Sequence, residues 1–269
     1  MPTELRAPST VLVTGASSGI GAAFARRFAA DGHPLVLVAR DAAALEDARE
    51  SLLAAGSPRV DVLAADLTDP ARRALVADRL RSDADPIGIL VNNAGLGLGR
   101  TFLEIGEDEL LHQLELNVTA VLLLTRAVLP GMLRRGNGAV VNVSSIAAFW
   151  PASGATYSAS KAWVQTFTEG LSIAVAGTGV RVLALCPGLV RTDFHRRAGL
   201  DMSRAPGAGW VRVDALVDRA LADLARNRVV SVPTARYRFA ALVSRLLPLP
   251  AKLAVSARAE SGRGTAGPP

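Results

Sequence analysis

Tyr157 and Lys161 stand four positions apart in the segment Thr156-Tyr157-Ser158-Ala159-Ser160-Lys161. On a helix this spacing puts both side chains on one face, one turn apart. An ammonium beside a phenol favours the phenolate and lowers the tyrosine pKa, which gives an acid/base that works near neutral pH. The chain has only two lysines among its 30 basic Lys and Arg residues, so a lysine rather than an arginine at position 161 suggests a specific role. A Tyr-x-x-x-Lys pair is common in proteins, so the rest of the sequence must show whether this pair has a catalytic function.

A glycine-rich turn follows the apolar run 11–13 and precedes a helical pattern that contains Phe24 and Phe28. Within it, Gly15 allows a tight turn, Gly19 lets the backbone approach a pyrophosphate, and Gly21 lets the helix pack on the strand. The free N–H groups of the helix N-terminus face an anion there. The turn also contains Ser17, Ser18 and Ile20.

The end of the second apolar run selects the nucleotide. An NAD site needs a carboxylate there to accept from the ribose 2′-hydroxyl, but Ala39 occupies that position and Arg40 follows. A guanidinium suits a 2′-phosphate, so the sequence predicts NADP(H) rather than NAD(H). A register one residue later would place Asp41 at the site, although Asp41 is better suited to cap the next helix.

Continuous Val, Leu, Ile and Ala runs alternate with helical patterns along the chain. This alternation predicts an α/β fold, a doubly wound (Rossmann) sheet of seven parallel strands with helices on both faces. Neither a repeat nor a linker divides residues 1–234, which we interpret as a single domain. We expect a C-terminal amphipathic helical extension at 235–257 and a disordered tail at 258–269.

The composition narrows the functional class. Half of the 269 residues are hydrophobic and the formal net charge is +6, with arginines scattered along helices, so we expect no nucleic-acid partner. Cys186 is the only cysteine, and the N-terminus lacks the apolar core of a signal peptide, which favours a cytoplasmic protein. We expect no spanning helix, and the three scattered histidines predict no metal site.

Seven motifs occur in order at matching places in the β/α series: Thr14 to Gly21, Asp66-Leu67, Asn92-Asn93-Ala94-Gly95, Asn117, Ser144-Ser145, Tyr157 to Lys161, and Pro187-Gly188. With these motifs, residues 9–233 resemble the short-chain dehydrogenase/reductase family. The Gly-x-x-x-Gly-x-Gly spacing and the short length resemble its small reductase branch.

The resemblance implies a role for each matching residue. Tyr157 is the acid/base, Lys161 lowers its pKa and holds the nicotinamide ribose, Ser145 hydrogen-bonds the substrate oxygen, and Asn117 holds a relay water. Asn92 braces the sheet. The implied cofactor-binding residues are Gly15, Ser17, Ser18, Gly19, Ile20, Gly21, Arg40, Asp66, Leu67, Asn93, Ala94, Gly95, Tyr157, Lys161, Pro187, Gly188, Val190 and Thr192.

The serine assignment has two alternatives. The usual step of 13 residues to the tyrosine favours Ser144, whereas the strand end favours Ser145, the second serine of the pair. We choose Ser145, because a loop absorbs a one-residue deletion more easily than a buried strand absorbs a register slip.

Two segments near the end of the chain have open roles. The loop 191–210 contains Gly and Pro with apolar and basic residues, and it is either a mobile lid over the substrate or a surface excursion. The basic amphipathic extension 235–257 packs on the body, meets a subunit partner or lies on a membrane surface.

The sequence therefore predicts an NADP(H)-dependent oxidoreductase that transfers a hydride between nicotinamide and a ketone or secondary alcohol. The resemblance implies a homodimer or homotetramer with contacts around Asn117 and Tyr157. The alternative is a non-catalytic NADPH-binding sensor of the same fold, which would have no need of Tyr157.

Overall fold

A central parallel sheet organises the chain. The computed structural model describes residues 9–152, 155–200 and 209–261. The sheet has seven strands in the order β3-β2-β1-β4-β5-β6-β9, and every neighbouring pair is parallel. Its strands are β1 (Thr10–Thr14), β2 (Leu35–Ala39), β3 (Val60–Ala64), β4 (Ile87–Asn92), β5 (Gly138–Val143), β6 (Val180–Leu185) and β9 (Val230–Ser231). A separate parallel pair joins β7 (Leu189–Val190) to β8 (Trp210–Val211).

Helices connect the strands and cover both faces of the sheet. They are α1 (Gly19–Ala30), α2 (Ala42–Ala54), α3 (Pro70–Arg81), α4 (Glu107–Leu114), α5 (Ala120–Arg135), α6 (Ala155–Ala174), α7 (Phe194–Arg197), α8 (Val213–Ala225), α9 (Ala235–Leu246) and α10 (Leu249–Ser261). One apolar core lies between the sheet and α1, α2 and α8, and a second lies between the sheet and α3, α5 and α6. The predicted doubly wound sheet of seven parallel strands is therefore confirmed.

A buried polar ladder crosses the middle of the sheet and fixes two helices to it. Asn92 Nδ2 donates to Thr125 Oγ1 at 3.0 Å and to Asn142 Oδ1 at 2.9 Å. Asn142 Nδ2 in turn donates to Thr168 Oγ1 at 2.9 Å. Because buried polar groups need partners, this ladder restricts where α5 and α6 can sit on β4 and β5. Asn92 thus braces the sheet, as the sequence predicts.

The long helix expected over 107–135 contains a π-helical turn at Glu115–Thr119 between α4 and α5. Within the described residues, Glu107–Arg135 is the one helical stretch with the length and composition to cross a membrane. Half of its most apolar window is buried inside the protein, where Val121, Leu124 and Val128 face the core. This burial is typical of a core helix.

The C-terminal extension packs on the body through one face of α9. Ser244 Oγ donates a short hydrogen bond to Phe149 O, and the Arg245 guanidinium lies 5.5 Å from the centre of the Phe149 ring. The extension continues as α10 to Ser261, beyond its expected end at 257, so residues 258–261 are helical where we expected a disordered tail. The rest of that tail, 262–269, lies outside the described residues.

Tyr237 on α9 ties the extension to the loops around β7 and β8. Its hydroxyl accepts from Leu189 N at 3.0 Å and donates to Gly209 O at 2.8 Å. A Cβ at Gly188 would stand only 1.9 Å from the Tyr237 ring, so this contact requires glycine. The Tyr237 side chain therefore joins α9 to the segment that follows β6.

We expect Tyr237→Phe to lower the free energy of unfolding by about 1–3 kcal/mol, because it leaves Leu189 N–H and Gly209 C=O without their shared partner. Chemical denaturation of the purified protein measures the loss. Phe239→Leu, on the exposed side of the same helix, is the control, with an expected change within about 0.5 kcal/mol. Equal stability of Tyr237→Phe and the parent protein would contradict the structural role of this hydroxyl.

Candidate active site

The glycine-rich turn between β1 and α1 forms a cradle that side chains would fill. Gly15 and Gly19 have φ values of +64° and +58°, in the left-handed region that favours glycine. A Cβ at Gly21 would lie 2.3 Å from Gly15 O, so this position also excludes a side chain. Ser18, the N-cap of α1, makes no side-chain cap. The first backbone N–H groups of α1 are thus placed to meet an anion.

Thr14 and Asn93 hold this turn against the end of β4. The Thr14 hydroxyl accepts from the backbone N–H groups of Asn93 and Ala94, both at 3.0 Å. Asn93 Nδ2 donates to Thr14 O at 2.9 Å and to Gly15 O at 3.2 Å. The segment 93–95 is therefore fixed beside the turn. The sequence analysis gave Thr14 no role of its own. Its position at the end of the first strand, directly before the glycine-rich turn, could have suggested one.

Lys161 places a buried amine next to the segment 93–95. Its side chain is 5% exposed, and Nζ donates to Val143 O at 2.9 Å. A Cβ at Gly95 would lie 3.3 Å from Nζ, so glycine allows the backbone to pass over the amine. Burial lowers the pKa of Lys161 to about 8.

Tyr157 lies one helical turn before Lys161 on α6, and its hydroxyl is hydrogen-bonded to Ser145. Burial raises the pKa of Tyr157 to about 12, and the Ser145 hydrogen bond opposes part of that rise. Lys161 Nζ lies 5.8 Å from the centre of the phenol ring. The expectation that Lys161 lowers the pKa of Tyr157 is wrong for this structure. Burial acts on both groups and favours the neutral form of each.

The two neighbouring serines have different partners. Ser144 is buried, and its hydroxyl donates to Lys161 O at 2.7 Å. Ser145 Oγ accepts from Ala147 N at 3.1 Å and is also hydrogen-bonded to Tyr157. Of the two alternatives left open by the sequence, Ser145 is the serine that contacts the tyrosine hydroxyl.

Asn117 lies fully buried in the π-helical turn and faces the same region. Its Oδ1 accepts from Leu96 N at 2.9 Å, while Nδ2 donates to Leu96 O at 2.9 Å and to Ser160 Oγ at 3.2 Å. A Cβ at Gly95 would be 3.1 Å from Asn117 Oδ1. The side chain therefore fixes the chain just past the segment 93–95. π-Helical turns of this kind are frequent at functional sites.

The expected adenine end lies at the carboxyl ends of β2 and β3. Arg40 is exposed directly after β2, and Leu67 is buried. Although burial opposes it, hydrogen bonds from Thr68 N and Oγ1 and the nearby Arg40 charge hold the pKa of Asp66 below its usual value. Asp41 caps α2 by accepting from Ala44 N at 3.1 Å, which agrees with the capping role preferred in the sequence analysis.

The loop after β6 closes the glycine turn from the opposite side. Pro187 O accepts from Ile146 N at 2.8 Å, which joins this loop to the segment after Ser145. Thr192 stands against Gly19, where a Cβ would lie 3.3 Å away. Arg197 Nη2 donates to Ser18 Oγ at 2.8 Å, a contact that sequence reasoning missed because it joins residues 179 positions apart.

The remaining expected residues take up their places around this loop. Val190 is buried in β7, and the Phe194 ring lies 5.8 Å from the Tyr157 ring. Residues 201–208 of the loop 191–210, whose role the sequence leaves open between a lid and a surface excursion, lie outside the described residues. Cys186 is buried, and burial raises the pKa of its thiol to about 12, so it is no nucleophile at neutral pH.

Comparison with known proteins identifies the family. The short chain dehydrogenase family model matches residues 9–202. A short chain dehydrogenase of Pseudocercospora fijiensis is 37% identical over 188 residues, which are 69% of this chain and 60% of that protein. This match spans less than two thirds of the relative's length.

Solved structures of similar proteins share the fold. A short-chain dehydrogenase from Sphingobium yanoikuyae in complex with NADPH has a TM-score of 0.82 and 40% identity, over 88% of this chain and 93% of that one. A bulky-bulky ketone specific alcohol dehydrogenase from Comamonas testosteroni has a TM-score of 0.77 and 36% identity, over 88% and 91%. The family match, the fold and the ordered motifs agree: the chain belongs to the short-chain dehydrogenase/reductase family.

Proposed function

We propose that the protein is an NADP(H)-dependent carbonyl reductase or alcohol dehydrogenase, which acts on a ketone or secondary alcohol. The observation that carries the proposal is the Ser145–Tyr157 hydrogen bond, which stands one helical turn from buried Lys161 and beside the glycine-braced segment 93–95. The NADPH complex of the Sphingobium relative and the ketone named for the Comamonas relative support the same reading.

The chain's residues fit a dinucleotide. The cradle of Gly15, Gly19 and Gly21 excludes side chains where a pyrophosphate would meet the N-terminus of α1. Arg40 would hold a 2′-phosphate, and Asp66 and Leu67 would flank the adenine. Lys161 and the segment Asn93–Gly95 would hold the nicotinamide ribose. When bound, the nicotinamide supplies or accepts the hydride.

The protein's own groups handle the proton and the developing charge. Because the pKa of Tyr157 is raised, the phenol is protonated at neutral pH and has a proton to give to a carbonyl oxygen. Ser145 adds a second hydroxyl donor at the same place, and such donors stabilise an oxyanion as it forms. Asn117 fixes the backbone at Leu96 and, as we propose, holds a water that links Lys161 to solvent.

The second candidate is a non-catalytic protein that senses NADPH. The glycine turn alone would serve that role. The Ser145–Tyr157 pair argues against the sensor, since binding a dinucleotide does not require a proton donor at that position. Tight NADPH binding without NADPH oxidation across a broad panel of ketones and aldehydes would favour the sensor.

We expect Tyr157→Phe to lower the turnover of ketone reduction by about 10²–10⁴-fold, because the proton donor is lost while the ring is retained. NADPH oxidation followed by absorbance measures turnover, and fluorescence titration with NADPH should give nearly unchanged affinity. The control is Tyr237→Phe, the same substitution at the other tyrosine, which should keep measurable turnover. Full turnover by Tyr157→Phe would remove Tyr157 from the proposed role.

We expect Arg40→Asp to shift the preference from NADPH towards NADH, because it replaces a partner for a 2′-phosphate with a carboxylate suited to the free 2′-hydroxyl. Comparing kcat/KM for NADPH and NADH, we expect the ratio to fall by at least about tenfold, equivalent to one lost charge-assisted hydrogen bond. Arg49→Asp on α2 is the matched control and should leave the ratio unchanged. An unaltered ratio in Arg40→Asp argues against this assignment.

We also propose a homodimer or homotetramer that forms through α4 and α5. Leucines 111, 122 and 123 are exposed on these helices, next to the turn that contains Asn117. Leu123→Arg should give a smaller assembly by light scattering, because it buries a charge in the contact. Leu75→Arg, at an exposed leucine on α3, is the control. A parent protein that has the mass of one chain would refute the assembly.

The free, buried thiol of Cys186 is consistent with a cytoplasmic setting, which we retain as part of the proposal. Cell fractionation that finds the protein outside the cytoplasm would contradict it.

A further inference from the structure

The extension has an outward face as well as the inward face that packs on the body. The inward face of α9 consists of Tyr237, Ala241 and Ser244, which touch the body. On the opposite side Phe239, Leu242 and Leu246 are 68%, 54% and 76% exposed. Their i, i+3, i+7 spacing places them in one stripe along the helix. A contiguous apolar stripe on the surface indicates an interaction site, whereas scattered exposed leucines are normal on a protein surface.

Basic residues border this stripe. At about 100° per residue, Arg238 and Arg245 lie to one side of the stripe and Arg236 to the other. The next helix, α10, also exposes two leucines four residues apart, Leu249 and Leu253. From residue 235 to residue 258 the sequence has five basic residues and no Asp or Glu.

We propose that this surface, the basic apolar face of α9 and α10, docks the protein on an anionic lipid bilayer. An amphipathic helix with an apolar stripe between cations lies in the interfacial plane of a membrane, where the stripe enters the lipid and the cations meet anionic headgroups. The inward contacts of Tyr237 and Ser244 fix the orientation of α9 on the body. This is surface docking, separate from the core helix 107–135, and it does not depend on the proposed catalytic chemistry.

The charges favour a bilayer over a second copy of the chain. A two-fold contact places the same patch of each subunit against the other. Here that contact would bring arginines of one copy towards arginines of the other, because residues 235–258 contain no Asp or Glu to separate them. Anionic headgroups instead complement the cations of this segment, although Arg245 also lies 3.8 Å from Glu169 Oε1 of the body.

Flotation of the full chain with vesicles tests the proposal. The probes are vesicles of phosphatidylcholine alone and of equal parts phosphatidylcholine and phosphatidylglycerol. We expect the protein to float with the anionic vesicles and not with the neutral ones, and to be released as salt screens the headgroup charge.

Two double variants examine the two parts of the surface. Arg238→Gln with Lys252→Gln should weaken binding to the anionic vesicles roughly thirtyfold, as two cations each contribute about 1 kcal/mol near the surface. Leu242→Ser with Leu246→Ser should weaken it at least about tenfold by removing apolar area. Matched controls elsewhere, Arg49→Gln with Arg72→Gln and Leu53→Ser with Leu75→Ser, should bind like the parent protein.

Each other outcome overturns the proposal. No flotation with anionic vesicles, equal flotation with neutral ones, or binding that survives both double variants of the extension removes the bilayer as the partner. A second copy of the chain is the partner if two results occur together. The parent protein does not bind vesicles, and the mass of its assembly in solution falls when Leu242→Ser and Leu246→Ser are introduced. Because these residues lie away from the site, NADPH binding and thermal unfolding should stay unchanged in all four variants, which separates a failure here from a failure of the proposed activity.

Discussion

The site depends on keeping one amine out of water at the edge of the sheet. Lys161 is almost completely buried, and burial of a charge is costly unless polar partners are supplied. The carbonyl of Val143 provides one partner at 2.9 Å. The remaining space beside the amine is bounded by Gly95, where any side chain would press against Nζ. A side chain at position 95 would make Nζ and Asn117 Oδ1 shift by a few tenths of an ångström, so glycine suits this close approach. The surrounding polar contacts hold the backbone in this place.

Two sets of buried polar groups place the parts around that amine. Thr14 and Asn93 tie the glycine turn to the segment 93–95, while Asn117 ties the next residue, Leu96, to the π-helical turn. The ladder from Asn92 through Asn142 to Thr168 sets the position of α6, which carries both Tyr157 and Lys161. Losing one member leaves another buried group without a partner, so these contacts specify the geometry more strongly than apolar packing alone.

The sequence predicted the sheet and the composition of the site because both leave local patterns. Continuous apolar runs reveal buried strands, and the glycines of the first turn are required by backbone geometry. Long-range contacts leave no such pattern. The hydrogen bonds from Arg197 to Ser18 and from Leu189 N to the Tyr237 hydroxyl join residues far apart in the chain, and neither was predicted. The pKa of Tyr157 was predicted in the wrong direction, since helical spacing gives the distance to Lys161 but not the burial of the phenol.

The central claim is that the Ser145–Tyr157–Lys161 group faces a dinucleotide laid along the glycine turn. A crystal structure of the full chain with NADP⁺ and an unreactive ketone analogue tests it most directly. The account predicts the pyrophosphate at Gly15–Gly21, the nicotinamide beside Asn93–Gly95, and the analogue's oxygen within hydrogen-bond distance of both the Tyr157 and Ser145 hydroxyls. A dinucleotide bound elsewhere, or an analogue oxygen that contacts neither hydroxyl, would contradict it.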